Sequence, residues 1–146
     1  MTDLAKGIIE FEEMTLTSQT TKQEFDKKFA EVISPVSNQQ LVYLLKLSTV
    51  DNTRFGASFV FNSKGKLSSL KLTPYIQYKS EKWDRIGMQE ERRRFCGKWL
   101  LERLGEPHKV INGDIEYLYQ SHTISCFSNF DIRDGGNAGY IVIAYK

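Results

Sequence analysis

The side chains best suited to metal binding or nucleophilic catalysis are few in this chain. It has two histidines and two cysteines, His108, His122, Cys96 and Cys126, and no two of them are paired as CxxC or HxxxH. A zinc site needs three or four Cys, His or carboxylate ligands at spacings that let them cluster. The sequence therefore predicts neither a metal site nor another cofactor.

Cys96 follows three consecutive arginines, and an electropositive setting favours a reactive thiolate. However, Leu100 and Leu104 continue its stripe on a predicted helix, which places the thiol on the core-facing side. Cys126 lies among apolar residues of a predicted strand. We expect both to be isolated, buried, reduced thiols, with a single disulfide between them as the alternative. Buried free thiols are typical of a reducing compartment and indicate the cytoplasm.

Two further patterns of catalytic type have simpler structural explanations. Asp131 and Asp134 flank Arg133 and could do acid–base chemistry, but without a second acidic cluster they are better explained as a salt-bridged turn. Gly135-Gly136 lies between two predicted strands, whereas a phosphate-binding loop places its glycines between a strand and a helix N-terminus. We therefore predict a non-enzymatic binding protein. The alternative is a small-ligand carrier or enzyme whose site is assembled from scattered residues.

Aromatic and basic side chains concentrate in residues 74–85, the least regular stretch of the sequence. Tyr, Trp and Arg are enriched at the hot spots of protein interfaces, and this segment contains Tyr75, Tyr78, Trp83 and Arg85. The same aromatics could instead cover a helix and close the core, and the sequence leaves these two interpretations equal. Stacking on single-stranded nucleic acid is disfavoured by acidic residues within the segment and by a net charge of only +2.

A second candidate surface is the polar face of the middle strands. Residues 36–80 carry six basic side chains and one acidic side chain. If the phenylalanines of these strands face the core, alternation turns a basic, serine-rich set to the other side: Lys46, Ser48, Arg54, Ser58, Ser69 and Lys71. This set is either the solvated face of an antiparallel sheet or a docking site for an acidic partner.

The elements that position these residues follow from local signals. Thr21 and Glu24 form a capping box that opens a helix with Phe25, Phe29 and Ile33 on one stripe, ending before Ser34-Pro35. A second helix is predicted over residues 88–104, stopped by Gly105 and Pro107. Alternation predicts strands at residues 7–17, 41–47, 54–62, 67–73, 109–111, 115–119, 123–127 and 140–145. Among the turn signals between them are Asp51-Asn52 and Asn112-Gly113, the second of which is the best two-residue hairpin signal in the chain.

We therefore predict a single α+β domain over residues 1–146. An antiparallel sheet of about six to eight strands carries two helices on one face, in the order β-α-β-β-β-α-β-β-β-β. The predicted core is Phe25, Phe29, Phe55, Phe59, Phe61, Leu70, Leu72, Phe95 and Leu100. The N-terminus lacks the pattern of a secretory signal, and no apolar run approaches the roughly 20 residues of a membrane span, so we expect no membrane partner.

Two regions of the C-terminal part carry recognisable motifs. Residues 92–107 end with KWLL (98–101) and LGEP (104–107), and the end of the chain contains ISCF (124–127), DIR (131–133) and GYIVIAY (139–145). Together they resemble small, mostly uncharacterised bacterial proteins, some of them encoded beside polymorphic toxins and regarded as immunity proteins. The resemblance covers the C-terminal third, and its motifs are structural. It implies a bacterial cytosolic protein that binds another protein, such as an immunity-type inhibitor; a homodimer is also compatible. Inhibitors of basic nuclease toxins are often acidic, and this slightly basic chain departs from that pattern.

Overall fold

The computed structural model describes residues 2–76, 85–127 and 139–146, with the side chains of residues 85 and 86 left aside. A 3₁₀ turn, Leu4–Lys6, precedes a hairpin of β1 (Ile9–Phe11) and β2 (Met14–Leu16), followed by helix α1 (Lys22–Phe29). Next come β3 (Leu41–Tyr43), β4 (Ser48–Val50), β5 (Thr53–Phe61) and β6 (Leu67–Pro74). Helix α2 (Arg85–Leu104) leads to β7 (Lys109–Ile111), β8 (Asp114–Leu118), β9 (His122–Phe127) and β10 (Tyr140–Tyr145).

Eight of the strands form one sheet in the order β3-β5-β6-β10-β9-β8-β7, and β4 pairs with β5 beside β3. Every pairing in it is antiparallel. The predicted α+β class and the order of helices and strands are confirmed. In detail, the first predicted strand is the β1–β2 hairpin, and the second is shorter than predicted, with β4 following it.

Short turns set the register of the hairpins. Asp51-Asn52 joins β4 to β5 with φ of 48° and 61°, and Asn112-Gly113 joins β7 to β8 with φ of 51° and 88°. Two successive positive φ angles give a turn whose twist matches that of the flanking strands, and Asn, Asp and Gly tolerate this conformation best. Both turn signals in the sequence therefore form hairpins.

Helix α1 begins as predicted, because the Thr21 hydroxyl accepts a hydrogen bond from the Glu24 amide at 3.1 Å. Its predicted extent to Ile33 is wrong, since the helix ends at Phe29. The following residues pair instead with the end of β3: the Ser34 amide donates to the Tyr43 carbonyl, and Ile33 forms an isolated bridge with Leu44. These strand-like hydrogen bonds replace the last helical turn.

Helix α2 ends at the predicted stop. Gly105 takes a φ of 75°, and its amide donates to the Leu101 carbonyl at 2.9 Å, as a left-handed helix cap requires. The last turn is tied to the β4–β5 turn, because Arg103 lies 4.0 Å from the Trp99 ring centroid and bonds Asp51 at 3.2 Å. No helix in the described ranges is long and apolar enough to cross a membrane.

The core lies between one face of the sheet and the helices. Phe59 of β5 is its centre, with ring centroids 4.4 Å from Phe25 of α1 and 5.2 Å from Phe11 of β1. On the same face, Trp99 of α2 packs edge-on against Phe55 at 5.4 Å. Both described helices and the β1–β2 hairpin therefore cover the same side of the sheet, as the one-sided arrangement predicted.

Eight of the nine predicted core residues are buried. The exception is Phe95, which is partly buried and packs at the margin of the core. Cys96, Trp99 and Leu100 are the buried residues of α2 around it. The centre of the apolar stripe therefore lies one position further along the helix than Phe95.

The N-terminal segment is held by a buried polar cluster that the sequence did not predict. The Nε2 atom of His122 donates to the Leu4 carbonyl at 2.7 Å, and its Nδ1 shares a hydrogen bond with Ser121 Oγ at 2.8 Å. The Tyr145 hydroxyl donates to the Gly7 carbonyl at 2.9 Å. Gly7 has φ of 72°, and a Cβ there would lie 3.1 Å from the imidazole, so glycine is required at this contact.

Truncation of Phe59 tests the aromatic core. We expect Phe59→Ala to lower the free energy of unfolding by about 3–5 kcal/mol, because it removes a fully buried ring and leaves a cavity. Val60→Ala, at the next position on the opposite, exposed face, should change it by less than about 0.5 kcal/mol. Urea unfolding of both variants measures this, and similar losses in the two would show that the faces are assigned wrongly.

Alkaline pH tests the Tyr145 contact. Burial raises the pKa of the Tyr145 phenol, so the folded state keeps the proton that the unfolded chain loses above about pH 10. Stability is therefore fully present below that pH and falls as pH rises. Tyr145→Phe should cost about 1 kcal/mol at neutral pH by loss of the hydrogen bond, but should reduce the further loss between about pH 9 and 11. Equal alkaline losses in urea unfolding would contradict this assignment.

Candidate functional site

The structure brings together three of the seven predicted binding residues. Arg54 of β5, Lys71 of β6 and Tyr75 just after β6 lie on the face of the sheet that points away from the helices. Tyr78 and Trp83 fall outside the described residues. Arg85 is the first residue of α2, and only its backbone is described.

We call this surface the outer face. Its residues alternate with the buried positions of four adjacent strands, and no described helix covers it. The outer face consists of Arg54, Gly56, Ser58, Val60, Ser69, Lys71, Thr73, Tyr75, Thr123, Ser125, Phe127, Tyr140, Val142 and Ala144. Most of these side chains are small, so the larger ones project beyond their neighbours on the outer face.

Arg54 and Tyr75 form the first cation–aromatic pair on the outer face. The Tyr75 amide donates to the Arg54 carbonyl at 2.9 Å, which fixes the two residues opposite each other. The guanidinium carbon lies 5.2 Å from the ring centroid, within the range of a cation–π contact. Tyr75 remains 48% exposed, so of the two interpretations that the sequence left open, this aromatic fits the one that places it at the surface.

Lys71 and Tyr140 form the second pair. The Lys71 ammonium lies 4.1 Å from the Tyr140 ring centroid, and Phe127 packs beside that ring at 5.5 Å. The three residues come from β6, β10 and β9, so the group runs across the strands. It joins the middle strands to the C-terminal strands, and cross-strand register alone brings these distant parts of the chain together.

The electrostatic character of the sheet changes from one edge to the other. Arg54 and Lys71 make the β5–β6 side basic, whereas Glu116 of β8, opposite Ser125, brings a carboxylate to the same face. Lys109 of β7 lies opposite Glu116, so the β7–β8 half carries both signs, whereas the β5–β6 half is basic. A partner that binds there would need an acidic surface.

Two residues predicted for this face lie elsewhere. Ser48 is buried and pairs with the core residue Phe55, so its assignment to the outer face was wrong. Lys46 lies in the bend between β3 and β4. The bend interrupts the strand alternation on which the prediction relied, and β4 re-enters the sheet with Ser48 and Val50 facing inward.

Lys46 instead lines a charged cleft of about 560 Å³ beside the β1–β2 turn. Its lining consists of Glu12, Glu13, Lys27, Lys28, Phe29, Ala30, Glu31, Val32 and Lys46. Three carboxylates therefore face three ammonium groups. Glu12 accepts a hydrogen bond from the Thr49 amide at 2.8 Å, and Glu13 lies 4.0 Å from Lys28. Such a cleft suits a ligand that carries both charges.

The turn at the rim of this cleft is strained. Glu12 and Glu13 have φ of 48° and 67°, a left-handed conformation that costs an L-residue other than glycine roughly 1 kcal/mol or more. Hairpins with this turn usually have Asn-Gly at the same positions. Because the sequence has no typical turn residue between β1 and β2, residues 7–17 were predicted as one continuous strand rather than a hairpin.

Cys96 and Cys126 are buried, as predicted. They are not isolated, however, because interaction with the Cys126 thiol, and then burial, raise the pKa of the Cys96 thiol far above its usual value. The opposing effect of Arg92 is smaller. A raised pKa disfavours the thiolate, which argues against Cys96 as an activated nucleophile.

The histidines serve structural contacts. His108 is exposed, and its Nδ1 accepts a hydrogen bond from the Leu118 amide at 2.7 Å. His122 holds the N-terminal segment as described above. Among residues 2–76, 85–127 and 139–146, no group of three His, Cys, Asp or Glu side chains could hold a metal ion. The segment with Asp131, Asp134 and Gly135-Gly136 lies outside the described residues.

Comparison with known proteins identifies a similar fold. No protein-family model matches the chain, and no curated protein matches its sequence. A crystal structure of a DUF4309 family protein, YjgB, from Bacillus subtilis subsp. subtilis str. 168 aligns with a TM-score of 0.52, covering 90% of this chain and 82% of that one. At 16% identity, the similarity shows the fold alone. The resemblance to immunity proteins stays a prediction.

Relief of strain in the β1–β2 turn is measurable. We expect Glu13→Gly to raise the free energy of unfolding by about 0.5–1 kcal/mol, because glycine adopts φ near +67° without a Cβ clash. Glu31→Gly, at an exposed position outside the helices that lines the same cleft, removes the same charge without relieving strain and should not stabilise. Chemical denaturation distinguishes them, and destabilisation by Glu13→Gly would show that its side-chain contacts outweigh the backbone strain.

Proposed function

We propose that this chain is a non-enzymatic bacterial protein that binds another protein, one with an acidic surface, through the basic half of the outer face. The observation that carries the proposal is the pair of cation–aromatic contacts, Arg54 with Tyr75 and Lys71 with Tyr140, on a face that no described helix covers. The YjgB structure, which comes from a bacterium, supports the fold but adds nothing about binding.

The two contacts favour recognition because they hold long, flexible cations in place. A free Arg or Lys loses rotamer freedom when it binds, and this lost entropy weakens association. Arg54 and Lys71 already lie over aromatic rings, so less entropy remains to be lost. The rings themselves belong to the residue types that carry most of the energy at protein interfaces.

The partner is expected to be acidic because of the local distribution of charge. Of the six basic side chains of residues 36–80, the structure places Arg54 and Lys71 on the outer face, and no acidic residue belongs to that face as defined above. A toxin neutralised by an immunity-type inhibitor would be one such partner, as the resemblance of the C-terminal third implies. We place the interaction in the cytoplasm, where buried thiols stay reduced.

The charged cleft supports a second candidate function, the binding of a small ligand. Its volume of about 560 Å³ lies within the range of about 300–1,000 Å³ that is usual for ligand sites. The strained Glu12-Glu13 turn at its rim is the specific observation in favour, since strain of this kind often persists at functional sites. A zwitterionic molecule fits the alternating charges of the lining.

Matched baits test the protein-binding proposal. Wild-type protein and variants are immobilised and exposed to soluble extract of the source cells, and the captured protein is identified, purified and titrated. Arg54→Glu and Tyr75→Ala should each weaken its affinity by at least about 2 kcal/mol, close to thirtyfold. Tyr75→Ala should change stability by less than about 0.5 kcal/mol. Added salt should weaken wild-type binding.

Lys64→Glu is the matched control, because it reverses one exposed charge in the β5–β6 turn rather than on the outer face. Its affinity should stay within about threefold of wild type. Equal binding by wild type, Arg54→Glu and Tyr75→Ala would contradict the proposal. Binding lost only in Lys46→Glu would favour the charged cleft, and capture of a second copy of this chain would identify a homodimer.

A further inference from the structure

A pair of thiols joins helix α2 to the centre of the sheet. Cys96 lies on α2 and Cys126 on β9, separated by roughly 30 residues of sequence. The Cys96 thiol donates to the Gly139 carbonyl at 3.4 Å, and the Gly139 amide donates to the Phe127 carbonyl at 2.8 Å. Gly139 therefore links Cys96 on the helix to the residue next to Cys126 on the strand.

The backbone around this pair cannot easily shift. Gly139 has φ of 84°, and a Cβ on it would lie 2.6 Å from the Cβ of Arg92 and 2.7 Å from the amide nitrogen of Arg93. The residue just before β10 therefore packs directly against the backbone of α2, at a distance that leaves no room for a Cβ atom. Cys126 is paired on both sides, with Ile115 of β8 and Ile141 of β10. Both cysteines therefore lie in regular elements that meet at the α2–β9 contact, and both are buried there.

We infer that Cys96 and Cys126 form a site of reversible disulfide modification, closed by exchange with a small-molecule disulfide such as oxidised glutathione. One cysteine sulfur attacks the small disulfide, breaks its S–S bond and releases one small thiol. The second cysteine then attacks the mixed disulfide and releases the other. Two S–H bonds and one S–S bond are replaced by one S–S bond and two S–H bonds, so atoms and electrons balance.

Because both thiols are buried, we expect the exchange reaction to be slow in the folded protein and fast while the chain is still folding. Both side chains are almost inaccessible, with exposures of 0% and 2%, and the raised pKa of Cys96 leaves little thiolate in the folded protein. Exchange in the native state therefore requires local opening of the α2–β9 contact. A chain that is still folding meets no such barrier, so the disulfide closes during folding in an oxidising medium.

Refolding in glutathione buffers tests the inference. Reduced, unfolded protein is refolded with either reduced or oxidised glutathione, then unfolded and treated with N-ethylmaleimide before intact-mass analysis. Oxidative refolding should give a monomer that has lost two hydrogen atoms and takes up no maleimide. Its thermal midpoint should exceed that of the reduced protein by about 5–10 °C, because the bond restricts the unfolded chain. Oxidation of already folded protein should be at least about tenfold slower.

Single variants provide the control. Cys96→Ala and Cys126→Ala each leave one thiol, so after oxidative refolding each should carry either one maleimide or one glutathione held as an unresolved mixed disulfide. Neither variant should show the rise in thermal midpoint that the internal disulfide gives. Two maleimide adducts on oxidatively refolded wild type, or a disulfide that joins two molecules, would overturn the inference. A lower melting temperature in the oxidised form would also overturn it, since it would show that the native geometry does not accommodate the bond. Equal oxidation rates for folded and folding protein would refute the role of burial.

Discussion

The contact of Phe59 with two distant parts of the chain determines the rest of this structure. Phe11 comes from the hairpin and Phe25 from α1, and both rings lie against Phe59 on β5. Once that ring is buried, alternation along β5 decides which of its neighbours face solvent. Because cross-strand partners point to the same face, the hydrogen-bonded register fixes which residues of β6, β10 and β9 face solvent as well. The composition of the outer face is therefore a consequence of how the opposite face is packed.

Local sequence patterns were sufficient to predict most of the helices, strands and turns of this fold. The Thr21 capping box, the Asn112-Gly113 turn and the Gly105 stop act through hydrogen bonds between residues a few positions apart, and each forms as predicted. Alternation in β5 and β6 likewise identified the buried face. These signals are readable because their physical cause lies within the segment itself.

The differences arise where a distant contact overrides a local preference. Ile33 leaves its predicted helix because backbone groups of the β3 region offer it strand-like partners. Ser48 turns inward because the chain bends before β4 and resets the alternation. The contact of Cys96 with Cys126 and that of Lys71 with Tyr140 depend on strand order, which no local pattern specifies. Lys71 was thus predicted as a binding residue without Tyr140, the aromatic partner that it contacts.

The edges of the sheet have a consequence for how the protein behaves at high concentration. Each edge is built from strands of three residues: β7 on one side, and β3 and β4 on the other, separated by a bend. A long, straight edge would expose unpaired backbone N–H and C=O groups to a neighbouring molecule, which could pair with them and start edge-to-edge aggregation. Short, interrupted edges offer another molecule too few consecutive hydrogen bonds for stable strand pairing. The short edges therefore limit association through backbone pairing at either side of the sheet, while Arg54, Val60 and Tyr75 of the outer face stay exposed.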